Sequence, residues 1–247
     1  PPHHPAPASK QDKITQVRWG IADFKYRFGH APEGMWLPET AVDNETLGVL
    51  ADCGIRFTIL APWQSLDKGL DTSHPYQVEL PGGKSIIVFF YNQALSTRVS
   101  FDPNATRNAD AFLHQCILPQ YRDRANPNAE PELLLIASDG ELYGRHQKLR
   151  DKFLSYLLDG ALKDQNIVTT YPGLWLKRYP TFRTTSIVQN SSWSCHHGVT
   201  RWSCECGCTP NGAWKGHMRQ AFEYIALAVD EIYERQAAEI VKDPWEL

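Results

Sequence analysis

The chain has 247 residues and a mass of 28.1 kDa, enough for one large α/β domain or two small ones. Hydrophobic residues make up 42% and charged residues 21%, so we expect a packed core and exclude global disorder. The net charge of −3 gives no electrostatic footprint for nucleic acid or an anionic membrane, and no apolar stretch approaches the ~20 residues of a membrane-spanning helix. We therefore expect a soluble protein without nucleic-acid or membrane partners. Since no signal peptide is visible, we expect it in the cytoplasm.

The amino terminus reads PPHHPAPASK, which is rich in proline and does not begin with methionine. We predict a flexible arm over residues 1–11 and a truncation relative to a longer protein. A barrel-like domain is predicted over 12–212, and a helical segment over 213–247. The sequence does not indicate whether the protein is a monomer or an oligomer.

The remaining predicted elements alternate between apolar runs of strand length and helical patterns. In chain order they are a short strand at 34–37, a helix at 43–53, a strand at 56–61, hairpin strands at 76–80 and 85–91, a helix at 107–121, a buried parallel strand at 131–138, helical periodicity at 142–157, and a long amphipathic helix at 215–241. This order predicts the α/β class. With about six strands, the barrel is expected to be incomplete.

Two carboxylates follow apolar strands in this prediction. Glu39 comes after the strand at 34–37, and Asp139 comes after the unbroken apolar run at 133–137. Active groups of parallel α/β folds stand at the carboxyl ends of strands, and a retaining glycosidase needs two carboxyl groups ~5–5.5 Å apart. The alternatives are structural: Asp139 as a helix N-cap and Glu39 as a first-turn carboxylate favoured by the helix dipole.

Two longer motifs surround these carboxylates. Residues 29–43 read GHAPEGMWLPETAVD and residues 136–146 read IASDGELYGRH, with FTILAP at 57–62 and FFY at 89–91 between them. They resemble the nucleophile and acid/base regions of glycoside hydrolase family 57. The motif SWSCHHGVTRW at 192–202 resembles a branch of that family described as amylase- or mannosidase-like, so the resemblance covers about residues 12 to 235.

The resemblance implies a fold of the α/β class: an incomplete (β/α) barrel of the family 57 type with a C-terminal helical segment. It implies a retaining mechanism on α-glucans such as starch or maltodextrin. Carried over by position, Glu39 is the nucleophile and Asp139 the general acid/base. The candidate substrate-binding residues are Trp36, Trp63, Glu141, Tyr143, His146, Trp193 and His197. The family's regions upstream of the nucleophile are absent, and Asn92-Gln93 stands where many relatives have an acidic residue.

Six cysteines are too few for a disulfide scaffold in a chain of this length. Cys53 and Cys116 lie in apolar helical patterns and are predicted to be buried free thiols. The other four crowd into residues 195–208, where the candidate ligands of a structural zinc ion are Cys195, His197, Cys206 and Cys208. A reduced loop and a local disulfide are the alternatives, and no cofactor is required by the predicted chemistry.

The leading functional hypothesis is an α-amylase-like hydrolase of α-1,4-glucans. A 4-α-glucanotransferase or branching-type transglycosylase would share its first half-reaction. A metal-dependent carbohydrate deacetylase would need an Asp/His/His triad, and no His-x-x-x-His motif stands at a predicted strand end. A non-catalytic glucan-binding module is the further alternative, because the upstream barrel strands are missing.

Overall fold

The computed structural model describes residues 9–121, 128–163, 165–243 and 245. Most of the predicted arm at 1–11 lies outside these residues; Ser9 caps the first helix, which begins at Lys10. The α-helices are α1 (Lys10–Phe28), α2 (Asn44–Asp52), α3 (Gln93–Phe101), α4 (Ala109–Phe112), α5 (Arg150–Tyr156), α6 (Pro172–Arg178) and α7 (Trp214–Ala237). The strands are β1 (Phe57–Leu60), β2 (Tyr76–Leu80), β3 (Lys84–Phe90) and β4 (Thr184–Thr185).

The four strands form one sheet in the order β1-β3-β2-β4. β2 and β3 are joined by the tight turn at 81–83, where Gly82 and Gly83 both have positive φ and supply the conformation that the turn requires. β1 and β3 run parallel, since the Ile87 N–H donates to the Arg56 carbonyl and the Tyr91 N–H donates to the Leu60 carbonyl. The mixed α/β class is thus confirmed, whereas closure into an incomplete barrel stays a prediction.

The chain divides into two compact units. The first unit comprises Pro1–Thr58, Val78–Ile87 and Thr185–Leu247, and the second comprises Ile59–Gln77 and Val88–Thr184. Their limits differ from the predicted boundaries at 12 and 213, and the predicted domains remain untested. No helix in the described part of the chain is long and apolar enough to cross a membrane.

In the first unit, α1 packs on α2. The apolar face predicted for the helix at 43–53 is buried, with Leu47 and Leu50 fully covered. α1 was not predicted, because Val17 is its one buried side chain among the described residues and no apolar stripe marks it. Its sequence signal lies at its ends: a capping box joins Ser9 and Asp12, and Gly29 closes the helix in the left-handed conformation.

In the second unit, the helices α3, α4 and α5 close around a continuous apolar core. Its buried members are Leu95, Val99, Ala109, Phe112, Leu113, Cys116, Ile117, Leu142, Phe153, Leu157 and Leu162. The helix predicted at 107–121 is present, but after α4 it continues as a wide π turn and a 3-10 turn. Pro119 cannot continue a regular α-helix, since its ring displaces the carbonyl four residues earlier. Of the predicted buried thiols, Cys116 is buried and Cys53 is half-buried; both are free.

The prediction of a buried parallel strand at 131–138 is wrong. The segment belongs to no strand, and residues 132–138 are half-buried. Its hydrogen-bond partners are isolated groups: the Leu133 N–H donates to the Ser73 carbonyl, the Asn92 N–H donates to the Leu135 carbonyl, and the Ser96 hydroxyl accepts from the Ala137 N–H. These groups form no continuous ladder of main-chain partners, so the segment stays extended without forming a strand. It also borders an apolar cavity of about 350 Å³.

Two other predicted elements need correction. In place of the strand predicted at 34–37, the structure has one parallel bridge between Gly34 and Phe57. Beyond this bridge, the Met35 carbonyl accepts a hydrogen bond from the Thr58 hydroxyl and not from a main-chain N–H. The predicted helical stretch at 142–157 begins only with α5, because Gly144 and Leu149 have positive φ and cannot belong to a right-handed helix.

The long C-terminal helix α7 lies close to the predicted 215–241. None of its residues is buried in the structure. The apolar residues that predicted an amphipathic helix form an exposed face: Phe222, Ile225, Val229 and Ile232. Its periodicity therefore marks a face that the described residues leave uncovered.

Candidate active site

Glu39 lies in a strained turn of the first unit. It is the middle residue of a short 3-10 turn, Pro38–Thr40, yet its own φ of 58° and ψ of 14° are left-handed. Thr40 follows with a φ of 47°. Left-handed geometry costs about 1–3 kcal/mol for residues other than glycine, and such strain persists where the surroundings hold it and clusters at functional sites.

The Glu39 side chain is held by a distant segment of the chain. The indole Nε1 of Trp193 donates to Glu39 Oε2 at 3.2 Å, and the Ser194 hydroxyl makes a short hydrogen bond to the same oxygen. The main chain is tied as well, because the Trp193 N–H donates to the Glu39 carbonyl at 3.0 Å. Glu39 itself is exposed, so these donors orient a carboxylate that solvent and substrate can reach.

An aromatic corner stands beside this carboxylate. The rings of Trp36 and Trp193 meet edge to face, with centroids 5.0 Å apart. Trp36 is 42% exposed, and Trp193 is half-buried. An exposed indole face next to an oriented carboxylate offers a surface on which a sugar ring can stack.

The structural alternative for Glu39 does not hold. Helix α2 begins only at Asn44, and its N-cap is Asp43, whose carboxylate accepts from the Thr46 N–H at 2.7 Å. Glu39 lies in the separate turn before it and is not in the first turn of an α-helix. The carboxylate in the first turn of α2 is Glu45.

In the second unit, Asp139 follows the extended segment at 131–138 and precedes a 3-10 turn at Gly140–Leu142. Its side chain makes no capping hydrogen bond to that turn, and the residue is exposed. The N-cap alternative is therefore not supported either. Its exposed carboxyl group can exchange a proton with a bound molecule.

The other candidates in this motif lie on the same short segment as Asp139. Glu141 and His146 are exposed, and the His146 N–H donates to the Glu141 carbonyl at 2.9 Å. Tyr143 is half-buried, and its phenol shares a 2.9 Å hydrogen bond with the Ser138 hydroxyl. Tyr143 thus braces the residue that precedes Asp139.

Trp63 lies elsewhere in the second unit. It packs edge to face on Tyr91, with ring centroids 6.1 Å apart. Burial raises the pKa of Tyr91 to about 12, so its phenol stays neutral at ordinary pH. The residue after Tyr91 also finds a structural role: Asn92 is the N-cap of α3 and accepts from the Leu95 N–H at 3.0 Å.

The four candidate metal ligands come together in the first unit. The ligand atoms of Cys195, His197, Cys206 and Cys208 all lie within 4.8 Å of one another. Burial raises the pKa of the Cys195 thiol, while a hydrogen bond from Thr209 lowers the pKa of Cys206 to about 7. Because Nδ1 of His197 faces two of the sulfurs, the geometry favours its role in this group over contact with a sugar.

Two features of the Glu39 site were not predicted from the sequence. Ser194 was not a candidate, and the left-handed backbone of Glu39 was not expected. The motif at 192–202 contained the signal for Ser194, since it follows the aromatic candidate Trp193 directly. Nothing in the order of residues connects position 39 with position 194, because that contact depends on the fold.

Comparison with known proteins finds a matching family and several relatives. The profile of glycosyl hydrolase family 57 matches residues 2–181. An α-amylase of Pyrococcus horikoshii is 27% identical over 139 residues, which cover 55% of this chain and 20% of that protein. A 4-α-glucanotransferase of Thermococcus litoralis is 27% identical over 97 residues, or 38% of this chain and 14% of that protein. The chain therefore matches no more than a fifth of either of these relatives.

Solved structures show the same likeness in three dimensions. A GH57-type branching enzyme of Pyrococcus horikoshii superposes with a TM-score of 0.64 and 20% identity, covering 78% of this chain and 46% of that one. At this identity the likeness shows a shared fold. The family match ends before residues 192–202, so the resemblance of that motif to one branch remains a prediction.

Proposed function

The chain belongs to glycosyl hydrolase family 57, and on that basis we propose that it is a retaining glycosidase of α-1,4-glucans, or the part of one that carries both catalytic carboxylates. The substrate class rests on the relatives, which are named α-amylase and 4-α-glucanotransferase. The proposal includes the incomplete barrel implied by the family. The alternative within the family is transfer of the glycosyl group to another glucan.

In the proposed reaction, Glu39 attacks the anomeric carbon and forms a glycosyl ester. The bond to the leaving oxygen breaks, and Asp139 gives that oxygen its proton. Asp139, now a carboxylate, removes a proton from water, whose oxygen attacks the anomeric carbon and releases Glu39. In the transglycosylase alternative, a sugar hydroxyl replaces water in this second step, and everything before it is the same.

The observation that carries the proposal is the local structure around Glu39. Its backbone is strained, its carboxylate receives two side-chain donors, and Trp36 and Trp193 form an aromatic corner beside it. Two donors to one oxygen fix the direction of the carboxylate. A carboxylate with only a structural role would not require a left-handed backbone and an exposed position together.

The alternative of a deacetylase finds no support in the side chains. Such an enzyme would need an Asp/His/His metal triad. In the described part of the chain, the one group of metal-ligating residues contains three cysteines and a histidine. This donor set is typical of a closed zinc site.

The glucan-binding module is distinguished by experiment. We would incubate the purified chain with soluble starch and with maltooligosaccharides and identify the products by chromatography. Shorter oligosaccharides from a single substrate support hydrolysis, and a series of both longer and shorter products supports transfer. Binding of maltooligosaccharide without any product would favour the binding module.

A further inference from the structure

A cluster of three thiols and one imidazole lies in the first unit, next to the residues that hold Glu39. Its members come from residues 195–208, so a single stretch of chain brings all of them together. Gly198, with a φ of 69°, turns the chain after His197, and a side chain there would overlap the Asn190 carbonyl. The Thr209 N–H donates to the Cys206 carbonyl at 2.9 Å and closes a second turn around Cys208.

Three of the six ligand–ligand distances within the cluster are those of a tetrahedral metal site, and all six are within 4.8 Å. Sγ of Cys195 lies 3.8 Å from Sγ of Cys206. Nδ1 of His197 lies 3.6 Å from Sγ of Cys195 and 3.5 Å from Sγ of Cys208. Around a zinc ion with Zn–S bonds of about 2.3 Å and a Zn–N bond of about 2.0–2.1 Å, a regular tetrahedron has S–S edges of about 3.8 Å and S–N edges of about 3.5–3.6 Å. The three distances match these edges.

The surroundings suit bound thiolates. The His197 N–H donates to Cys195 Sγ at 3.4 Å, and the Thr209 hydroxyl lies 3.4 Å from Cys206 Sγ. Such donors disperse the negative charge that thiolate ligands bring to a metal. Cys195 is buried and Cys208 is exposed, so the group reaches from the protein interior to the surface.

We propose that Cys195, His197, Cys206 and Cys208 bind one zinc ion in a closed, four-coordinate structural site. Three sulfurs and a nitrogen are soft and borderline ligands, which favour zinc over magnesium or calcium. Four protein ligands leave no position for substrate or water, so the ion has a structural and not a catalytic role.

The site would stabilise the loop that orients Glu39. Cys195 directly follows Ser194, whose hydroxyl contacts the Glu39 carboxylate. The same loop is tied internally, since Arg201 Nη1 donates to the Ser194 carbonyl at 2.9 Å and the Ser192 hydroxyl donates to the Gly198 carbonyl at 2.9 Å. A metal bound at Cys195 thus holds one end of the segment whose other residues position the carboxylate.

The first test is the metal content of protein purified without a histidine tag from zinc-supplemented culture. We expect about one equivalent of zinc per chain. Cys206→Ala and Cys208→Ala should each lose most of it. Cys204→Ala and His196→Ala are matched controls, because these residues share the loop but not the cluster, and they should retain it. Wild-type protein far below one equivalent, or equal loss in the controls, would overturn the proposal.

The second test does not depend on the folding of any variant. Wild-type protein in which cobalt(II) replaces the metal should show the intense visible absorption of tetrahedral cobalt and a sulfur-to-metal charge-transfer band. A weak octahedral spectrum would contradict the site. So would a disulfide between Cys195 and Cys206 found by mass spectrometry of the native protein. Neither measurement involves glucan turnover, so the zinc site and the proposed function can fail separately.

Discussion

Trp193 holds Glu39 at two points, through an indole hydrogen bond to the carboxylate at 3.2 Å and a main-chain hydrogen bond to the carbonyl at 3.0 Å. The main-chain hydrogen bond ties the strained turn to Trp193, and the indole hydrogen bond orients the Glu39 carboxylate. One residue therefore stabilises both the unusual backbone of Glu39 and the direction of its side chain.

Glu39→Gln should abolish glucan turnover and leave the protein folded. The two side chains are nearly isosteric, but an amide cannot act as the nucleophile that forms a glycosyl ester. We would measure product formation together with the thermal unfolding midpoint. Glu45→Gln is the matched control, because Glu45 is an exposed carboxylate of the same unit, and it forms an ion pair with Lys13 at 2.8 Å. Wild-type turnover in Glu39→Gln would refute the role of this residue.

Ser194→Ala should slow turnover about ten- to hundredfold, since a hydrogen bond to a charged group contributes about 1.5–3 kcal/mol. The variant removes a donor to Glu39 and no other contact of the carboxylate. The measurement is kcat and KM on a maltooligosaccharide. Ser203→Ala is the control from the same loop, because that hydroxyl donates to the Thr200 carbonyl at 3.2 Å. An equal effect in both variants would show that the loop, and not the hydrogen bond, matters.

Asp139→Asn should slow the reaction most for substrates with poor leaving groups. Proton donation matters least when the departing oxygen is already stable as an anion. On an activated aryl glycoside, azide should restore part of the rate and give a glycosyl azide with the anomeric configuration of the substrate. Asp151→Asn, an exposed carboxylate in the first turn of α5, is the control. A uniform loss across leaving groups, without azide rescue, would exclude Asp139 as acid/base.

Gly34→Ala should destabilise the protein by about 1–3 kcal/mol, the usual effect of overpacking. A methyl group at this position would overlap the ring of Phe57, with which Gly34 forms a bridge. Gly48→Ala is the opposite case, because Gly48 lies in α2 with open space around it. It should stabilise the protein by about 0.5–1 kcal/mol. Chemical denaturation measures both, and a neutral Gly34→Ala would contradict the close approach.

Asp43 should make the free energy of unfolding depend on acid pH. Burial by itself would raise the pKa of this carboxyl, but hydrogen bonds from Thr46 and the charge of Lys13 outweigh burial and hold the pKa below its ordinary value of 3.8. The stability contributed by the carboxylate is therefore present above the unfolded pKa and is lost as the pH falls through the folded one.

The test of this prediction is Asp43→Asn, which keeps a good N-cap but removes the charge. Between neutral pH and about pH 3, the wild type should lose more free energy of unfolding than the variant. Glu45→Gln removes another partner of Lys13 without touching the cap, and it should keep the wild-type dependence. Identical acid sensitivity in the wild type and Asp43→Asn would refute the prediction.

The sequence by itself determined the α/β class, the family and the local elements that have strong signals of their own. The helix now seen as α2 and the hairpin of β2 and β3 depend on short-range patterns: an N-cap, an apolar face and a glycine turn. Each of these acts within a few residues, so it can be recognised before any tertiary contact is known.

Tertiary structure decided the features that depend on distant partners. The apolar run at 133–137 was predicted to be a strand, but its main-chain partners are isolated groups at Ser73 and Asn92, which form no ladder of hydrogen bonds. Glu39 has a left-handed backbone, and its side chain contacts Ser194, which is more than 150 residues away along the chain. Strand pairing and strain of this kind are set by which segments meet, and the local pattern of a sequence does not contain that information.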